Sequence, residues 1–209
     1  SHRPFLDPEM DSELLCRQPE VLEYEKIPYE PDPDKRPPTP EFIKVWKNIP
    51  VSRTAVSNHD NTIVSNWNSV VGKGDLVYHV GDMSLHKDIK EAADWLHALN
   101  GNLFVIKGNH DSVAEKLYSL YPQKFVAFKD YHAFSVKGLG QFILSHYAHH
   151  TWDRQHHGSY HAYGHSHGKL LGSQYDRLNR CTDVGVDSNN FFPLHIEKFI
   201  EKVDAKFKG

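Results

Sequence analysis

From Asn61 onward the apolar positions of the chain become regular. The stretch 62–71 places Ile63, Trp67 and Val70 on one face at helical spacing, and Gly72 and Gly74 end it, which predicts a helix. Residues 75–80, Asp-Leu-Val-Tyr-His-Val, form a short apolar run bounded by glycines and predict a buried strand, with His79 as a core histidine. Ile89, Ala92, Ala93, Leu96 and Leu99 then recur at the spacing i, i+3, i+4, i+7 and i+10, with Gly101 as a stop, and predict a second helix. Residues 103–107, Leu-Phe-Val-Ile-Lys, predict a second strand, and the runs 141–146 and 160–167 both end on histidine. Strand, helix, strand, helix and then closely spaced strands is the order of an α/β protein with a mixed sheet. The C-terminal Lys-Phe-Ile-Glu-Lys-Val run predicts a short amphipathic helix or tail.

The front of the chain reads differently. Residues 1–71 contain no glycine, and eight of the 12 prolines lie between Pro19 and Pro50. Six prolines in the 13 residues from Pro28 to Pro40 exclude a helix interior or a central strand. The expectation is one domain over 1–209, carrying a proline-rich insertion at about 17–56 that is either an idle surface loop or a lid over a cleft.

Composition narrows the classes. With 24 Lys+Arg against 27 Asp+Glu, a formal charge of −3 and a pI near 6.6, strong nucleic-acid binding is not implied. No apolar run approaches the roughly 18 residues that a membrane span requires. Ser1-His2-Arg3-Pro4-Phe5 lacks the apolar core of a signal peptide, and two cysteines, Cys16 and Cys181, are too few for a disulfide scaffold, so a cytoplasmic location is expected. Histidine is in excess: eight of 16 fall between 146 and 167, which admits a metal site, a pH switch or a solvated loop.

Position decides among these. Asp82 follows the strand at 75–80; Asn109, His110 and Asp111 follow the strand at 103–107; His146 closes the third apolar run; His165 and His167 end the fourth. In open α/β sheets the carboxyl ends of strands form the ligand crevice, so these residues are expected to converge. His165 and His167 lie two apart, and on an extended segment they point the same way. The mixture of oxygen and nitrogen donors suits Mn, Fe, Zn or Co, and Asp82 is the one candidate for a carboxylate bridging two ions.

Val80-Gly81-Asp82, Gly108-Asn109-His110-Asp111, Ser145-His146-Tyr147 and Gly164-His165-Ser166-His167-Gly168, in that order over about 61–187, resemble the calcineurin-like metallophosphoesterase superfamily. The likeness is to its small phage-type and bacterial members, which similarly carry a Trp-Asn, here Trp67-Asn68, and an Asp-Val-Gly-Val-Asp, here Asp183–Asp187. The resemblance implies a layered α/β fold, a mixed β-sheet sandwich flanked by helices. It implies two divalent ions bridged by Asp82, with Asn109, His146 and His165 completing one shell and His167 binding the other ion. His110 would stabilise the transition state or protonate the leaving oxygen, oriented by Asp111. The implied reaction is hydrolysis of a small phosphate ester, a phosphodiester of the nucleotide or cyclic-nucleotide class, by in-line attack of metal-bound hydroxide. His149 and Arg154 are the candidates for contact with the substrate phosphate, against a reading as solvated loop residues.

One part of that family's pattern has no match. Its opening Asp-x-His does not precede Asp82, and Asp130-Tyr131-His132 comes too late, in a segment that reads as a strand leading toward His146. Ser1-His2-Arg3-Pro4-Phe5 resembles the residues just past that motif in small members. Two expectations therefore stand: residues upstream of Ser1 that supply the pair, or a chain with one metal site incomplete, serving as a non-catalytic metal-binding or interaction protein.

Overall fold

The computed structural model describes residues 53–207. Cys16, the Ser1–Phe5 run and the proline-rich segment up to residue 52 lie outside the described residues. The chain divides into two compact units, Ser1–Asp60 and Asn61–Gly209, and the second carries the sheets and the site.

Two helices lead into the strands. α1 (Arg53–Val70) starts earlier than the pattern predicts. At its end the buried Trp67 indole N–H donates to Asn100 O at 2.9 Å, while the Asn68 amide donates to Ala98 O and accepts from Asn100 N, both at 2.7 Å. The Trp-Asn pair is thus a clamp between the end of α1 and the turn after α2 (Ile89–Ala98). Asp88 caps α2, its carboxylate accepting from Lys90 N at 2.7 Å and Glu91 N at 3.1 Å, and Ala92, Ala93 and Leu96 are buried on the predicted face.

The strands form two sheets. β1 (Leu76–His79), β2 (Asn102–Ile106) and β3 (Phe125–Lys129) are parallel in the order β1-β2-β3, with α2 and α3 (Ser112–Leu120) as crossovers. β4 (Tyr131–Val136), β5 (Gly140–Ser145), β6 (Tyr160–Tyr163) and β7 (Cys181–Asp183) form the second sheet in that order, β4 antiparallel to β5 and the others parallel. The fold is mixed α/β, with the strands in two sheets and helices around them. The remaining helices are α4 (Gln174–Leu178) and α5 (Ile196–Asp204), the latter from the predicted amphipathic tail.

β2 explains the layering. Leu103 and Val105 face a core with Trp67, Leu96 and Leu117, whereas Phe104 and Ile106 face a second core with Phe142, Leu144, Tyr160, Ala162, Phe199 and Val203. A strand covered on both faces reads as a continuous apolar run, which is what residues 103–106 are. A third core, Ile143, Trp152, Tyr163 and Cys181, lies on the other face of β5 and β6. β1, expected to be buried, is only half-buried, with Leu76 45% exposed. It is an edge of its sheet among the described residues, a difference that a short apolar run cannot reveal. The Asp-x-His of β4 is structural, the His132 ring stacking 4.2 Å from Phe104. Among the described residues no helix is long and apolar enough to cross a membrane.

Candidate metal centre

The segments after β1, β2, β5 and β6 bring the predicted ligands together. Asp111, buried, joins the first two: its carboxylate accepts from Asp82 N at 2.9 Å, Met83 N at 2.7 Å and Gly108 N at 2.6 Å. The resemblance gives Asp111 the role of orienting the His110 imidazole; its hydrogen bonds to these amides also make it a brace between two loops. A carboxylate sealed from water needs donors for its charge, and three main-chain amides supply them. The two loops touch closely enough to require glycine. A Cβ on Gly108 would run into the Asp82 carboxylate and amide, and one on Gly81, where φ is 101°, would meet the His146 ring and, at 2.8 Å, Gly108 Cα.

The pocket that results is made of acceptors. His146, its side chain 2% exposed, is held by Nδ1–H donating to Val80 O at 2.8 Å, which turns the Nε2 lone pair toward the other ligands. Around Nε2 lie Asn109 Oδ1 at 2.9 Å, His165 Nδ1 at 3.2 Å and Asp82 Oδ2 at 3.5 Å. Metal–donor bonds of about 2.1 Å put neighbouring donors about 3.0–3.4 Å apart in octahedral and tetrahedral shells, so these separations are those of the edges of one coordination shell. Asp82, His146 and His165 form the one convergent His/Cys/Asp/Glu cluster of this kind among the described residues. The other Asp82 oxygen accepts from His110 N at 2.8 Å. Partial desolvation, then the adjacent His146 ring, hold His165 below its ordinary pKa, which keeps its lone pair available.

Backbone strain concentrates here. Asp82, His165 and His167 adopt φ of 54°, 59° and 48°. Each left-handed non-glycine residue costs on the order of 1–2 kcal/mol, so the surrounding bonds must hold it. Around the last two that support is Asp183, fully buried, which accepts from Ser166 Oγ, from Gly168 N at 3.0 Å and from Gly185 N at 2.8 Å. The segment expected to be extended at His165 and His167 is instead a coiled turn, and the two rings have different partners: His165 meets His146, whereas His167 pairs through Nδ1 with Asp187.

The two candidate substrate contacts are not brought to the cluster. Arg154 is exposed, at φ 56°, and its guanidinium donates to Gln141 Oε1 at 3.3 Å, at the start of β5, whose opposite end carries His146. His149 packs away from the ligands, its amide donating to His161 Nε2 at 3.2 Å and its ring stacked 6.1 Å from Tyr131. His161 lies in β6 and is fully buried. Sequence reasoning passes over Asp183 and Asp187 as functional groups, although both stand in the Asp-Val-Gly-Val-Asp segment. It also passes over Tyr147, exposed, with its ring 4.5 Å from His165 and 4.9 Å from His146. His110 lines a cleft of about 430 Å³ together with Ser84, His86, Lys87, Ser112 and Lys116.

No protein-family model matches the chain. It is similar to Uncharacterized protein MJ1445 of Methanocaldococcus jannaschii, 28% identical over 153 residues, covering 71% of this chain and 77% of that protein. It is also similar to the Gene 66 protein of Mycobacterium phage L5, 29% identical over 157 residues, covering 64% of this chain and 75% of that protein. Among solved structures, the protein of unknown function AQ665 from Aquifex aeolicus has the same fold, with a TM-score of 0.55 at 23% identity, covering 77% of this chain and 90% of that one.

Proposed function

We propose that this chain is a metal-dependent phosphoesterase of the calcineurin-like metallophosphoesterase kind, hydrolysing phosphodiesters of the nucleotide class. The observation that carries the reading is the approach of Asn109 Oδ1 to His146 Nε2 at 2.9 Å while Nδ1 of the same ring is bonded to Val80 O. Beside this pair stand the Asp82 carboxylate at 3.5 Å and His165 Nδ1 at 3.2 Å, so four potential ligand atoms lie together. Such a group is unfavourable without a positive charge, and its oxygen and nitrogen donors fit a first-row divalent ion such as Mn, Fe, Zn or Co. Ions bound there supply Lewis acidity toward a phosphoryl oxygen and offset the charge that develops in an in-line displacement.

The chain's own residues do the rest. Asp111 and the two glycines fix Asp82 in its strained conformation, and the His110 amide holds one Asp82 oxygen. His110, which lines the cleft and whose backbone amide is bonded to Asp82, would supply the proton that the departing oxygen needs. Asp187 fixes His167 through Nδ1, and Nε2 of that ring is the atom that would hold a second ion. The reading carries a cytoplasmic location, supported by the low cysteine count and by Cys181, a buried free thiol.

A non-catalytic metal-binding protein is the second reading, favoured by one observation: a single convergent cluster among the described residues. Chelation, re-addition of Mn and assay on bis(p-nitrophenyl) phosphate separate the two. The first reading expects Mn-dependent turnover that falls by at least about 10³-fold in Asp82→Asn. Absence of turnover with one bound ion per chain supports the second, and turnover indifferent to Asp82→Asn overturns both.

A further inference from the structure

The cleft beside His110 has a chemistry that the ligand cluster does not need. Lys87, from the segment after β1, and Lys116, from α3, both line it, together with His86, His110, Ser84 and Ser112. No carboxylate is among its described lining residues. Of the nearby acids, Glu115 pairs with Lys107 at 2.5 Å, Asp88 caps α2, and Glu91 faces the ring of the lining residue His86 at 3.7 Å. Cations gathered in a concave space whose lining lacks a carboxylate make a site for an anion. The site adjoins the ligand cluster, because the backbone amide of the same His110 is bonded to Asp82.

Resting on the phosphodiesterase reading, we propose that this cleft is a subsite for a leaving group that itself carries phosphate. The favoured substrates are phosphodiesters whose departing alcohol bears a second phosphate, held by Lys87 and Lys116. In the reaction water adds to phosphorus, the bond from phosphorus to the departing oxygen breaks, and that oxygen takes a proton from His110. The products are a phosphomonoester and a phosphorylated alcohol. An oxygen protonated by His110 leaves on the cleft side, where the two lysines meet the phosphate it carries.

The test has a binding arm and a turnover arm, both on the full chain. Titrated into isotopically labelled protein without added metal, thymidine 3′- or 5′-monophosphate is expected to shift the amide signals of Ser84, His86, Lys87, Ser112 and Lys116, and unphosphorylated thymidine is not. In the double variant Lys87→Gln/Lys116→Gln the affinity is expected to fall at least fivefold. With Mn, the dithymidine dinucleotide carrying a terminal phosphate on its departing nucleoside is expected to exceed the unphosphorylated one at least tenfold in kcat/KM, a ratio that drops to about one in the double variant. Binding elsewhere, or a ratio near one in the wild type, overturns the subsite while leaving the phosphodiesterase reading intact. Monophosphate bound at the cleft in a protein that hydrolyses no diester overturns the phosphodiesterase reading and the leaving-group role, and leaves an anion site.

Discussion

Asp111 and Asp183 perform one task at two places. Each is a carboxylate closed off from water whose oxygens accept from main-chain amides of segments bearing or adjoining the candidate ligands. Neither lies in the convergent cluster. His161 illustrates a different use of burial. Its Nδ1–H donates to Ile143 O at 3.2 Å and Nε2 accepts from His149 N, with the rings of Trp152, His149 and Tyr163 around it. Burial pushes its pKa down to about 4. Because the folded value lies below the ordinary one, the unfolded chain takes up the proton first. The stability His161 confers is complete above about pH 6.5 and is lost as pH falls toward 4, about 3 kcal/mol in all. Urea unfolding at pH 7 and pH 4 is expected to cost the wild type about 3 kcal/mol more than it costs His161→Gln. Equal losses in the two would show that the ring titrates normally.

At the scale of elements, the site is a set of strand ends whose loops are packed without room for a side chain. Gly108→Ala tests this, because its Cβ would displace the Asp82 carboxylate. The expected outcome is Mn affinity reduced about 10- to 100-fold by calorimetry, with about 1–3 kcal/mol lost in unfolding. Gly74→Ala, where a Cβ meets nothing within 4 Å, is the control and should leave Mn affinity unchanged. The elements legible in the sequence were those with a sustained period or a bounded apolar run: α2, β1, β2, β5, α5 and the end of α1. β3 and β7 were not legible. Phe125–Lys129 has one buried residue, and Cys181–Asp183 is three residues long and buried despite two polar side chains. The burial of β7 comes from pairing with β6 and from Asp183 serving the loop at 164–168, neither of which leaves a local pattern.

For the whole second unit, the gathering of Asp82, Asn109, His146 and His165 was legible because glycine-flanked polar residues ended apolar strands. What was not legible depended on how distant segments fold over one another. Arg154 bonds to the start of β5, and His167 turns to Asp187 because residues 164–168 coil; neither is decided within its own stretch of chain. The two lysines of the cleft likewise meet only when α3 is laid beside the segment after β1. The account depends on the acceptors around His146 Nε2 being a cation site. Crystals of the full chain soaked in Mn and measured at its absorption edge test this most directly. The account predicts an anomalous peak about 2.0–2.3 Å from Asp82, Asn109 Oδ1, His146 Nε2 and His165, absent in Asp82→Asn. A wild-type map with no peak there, and with His146 hydrogen-bonded to a flipped Asn109 amide, would contradict it.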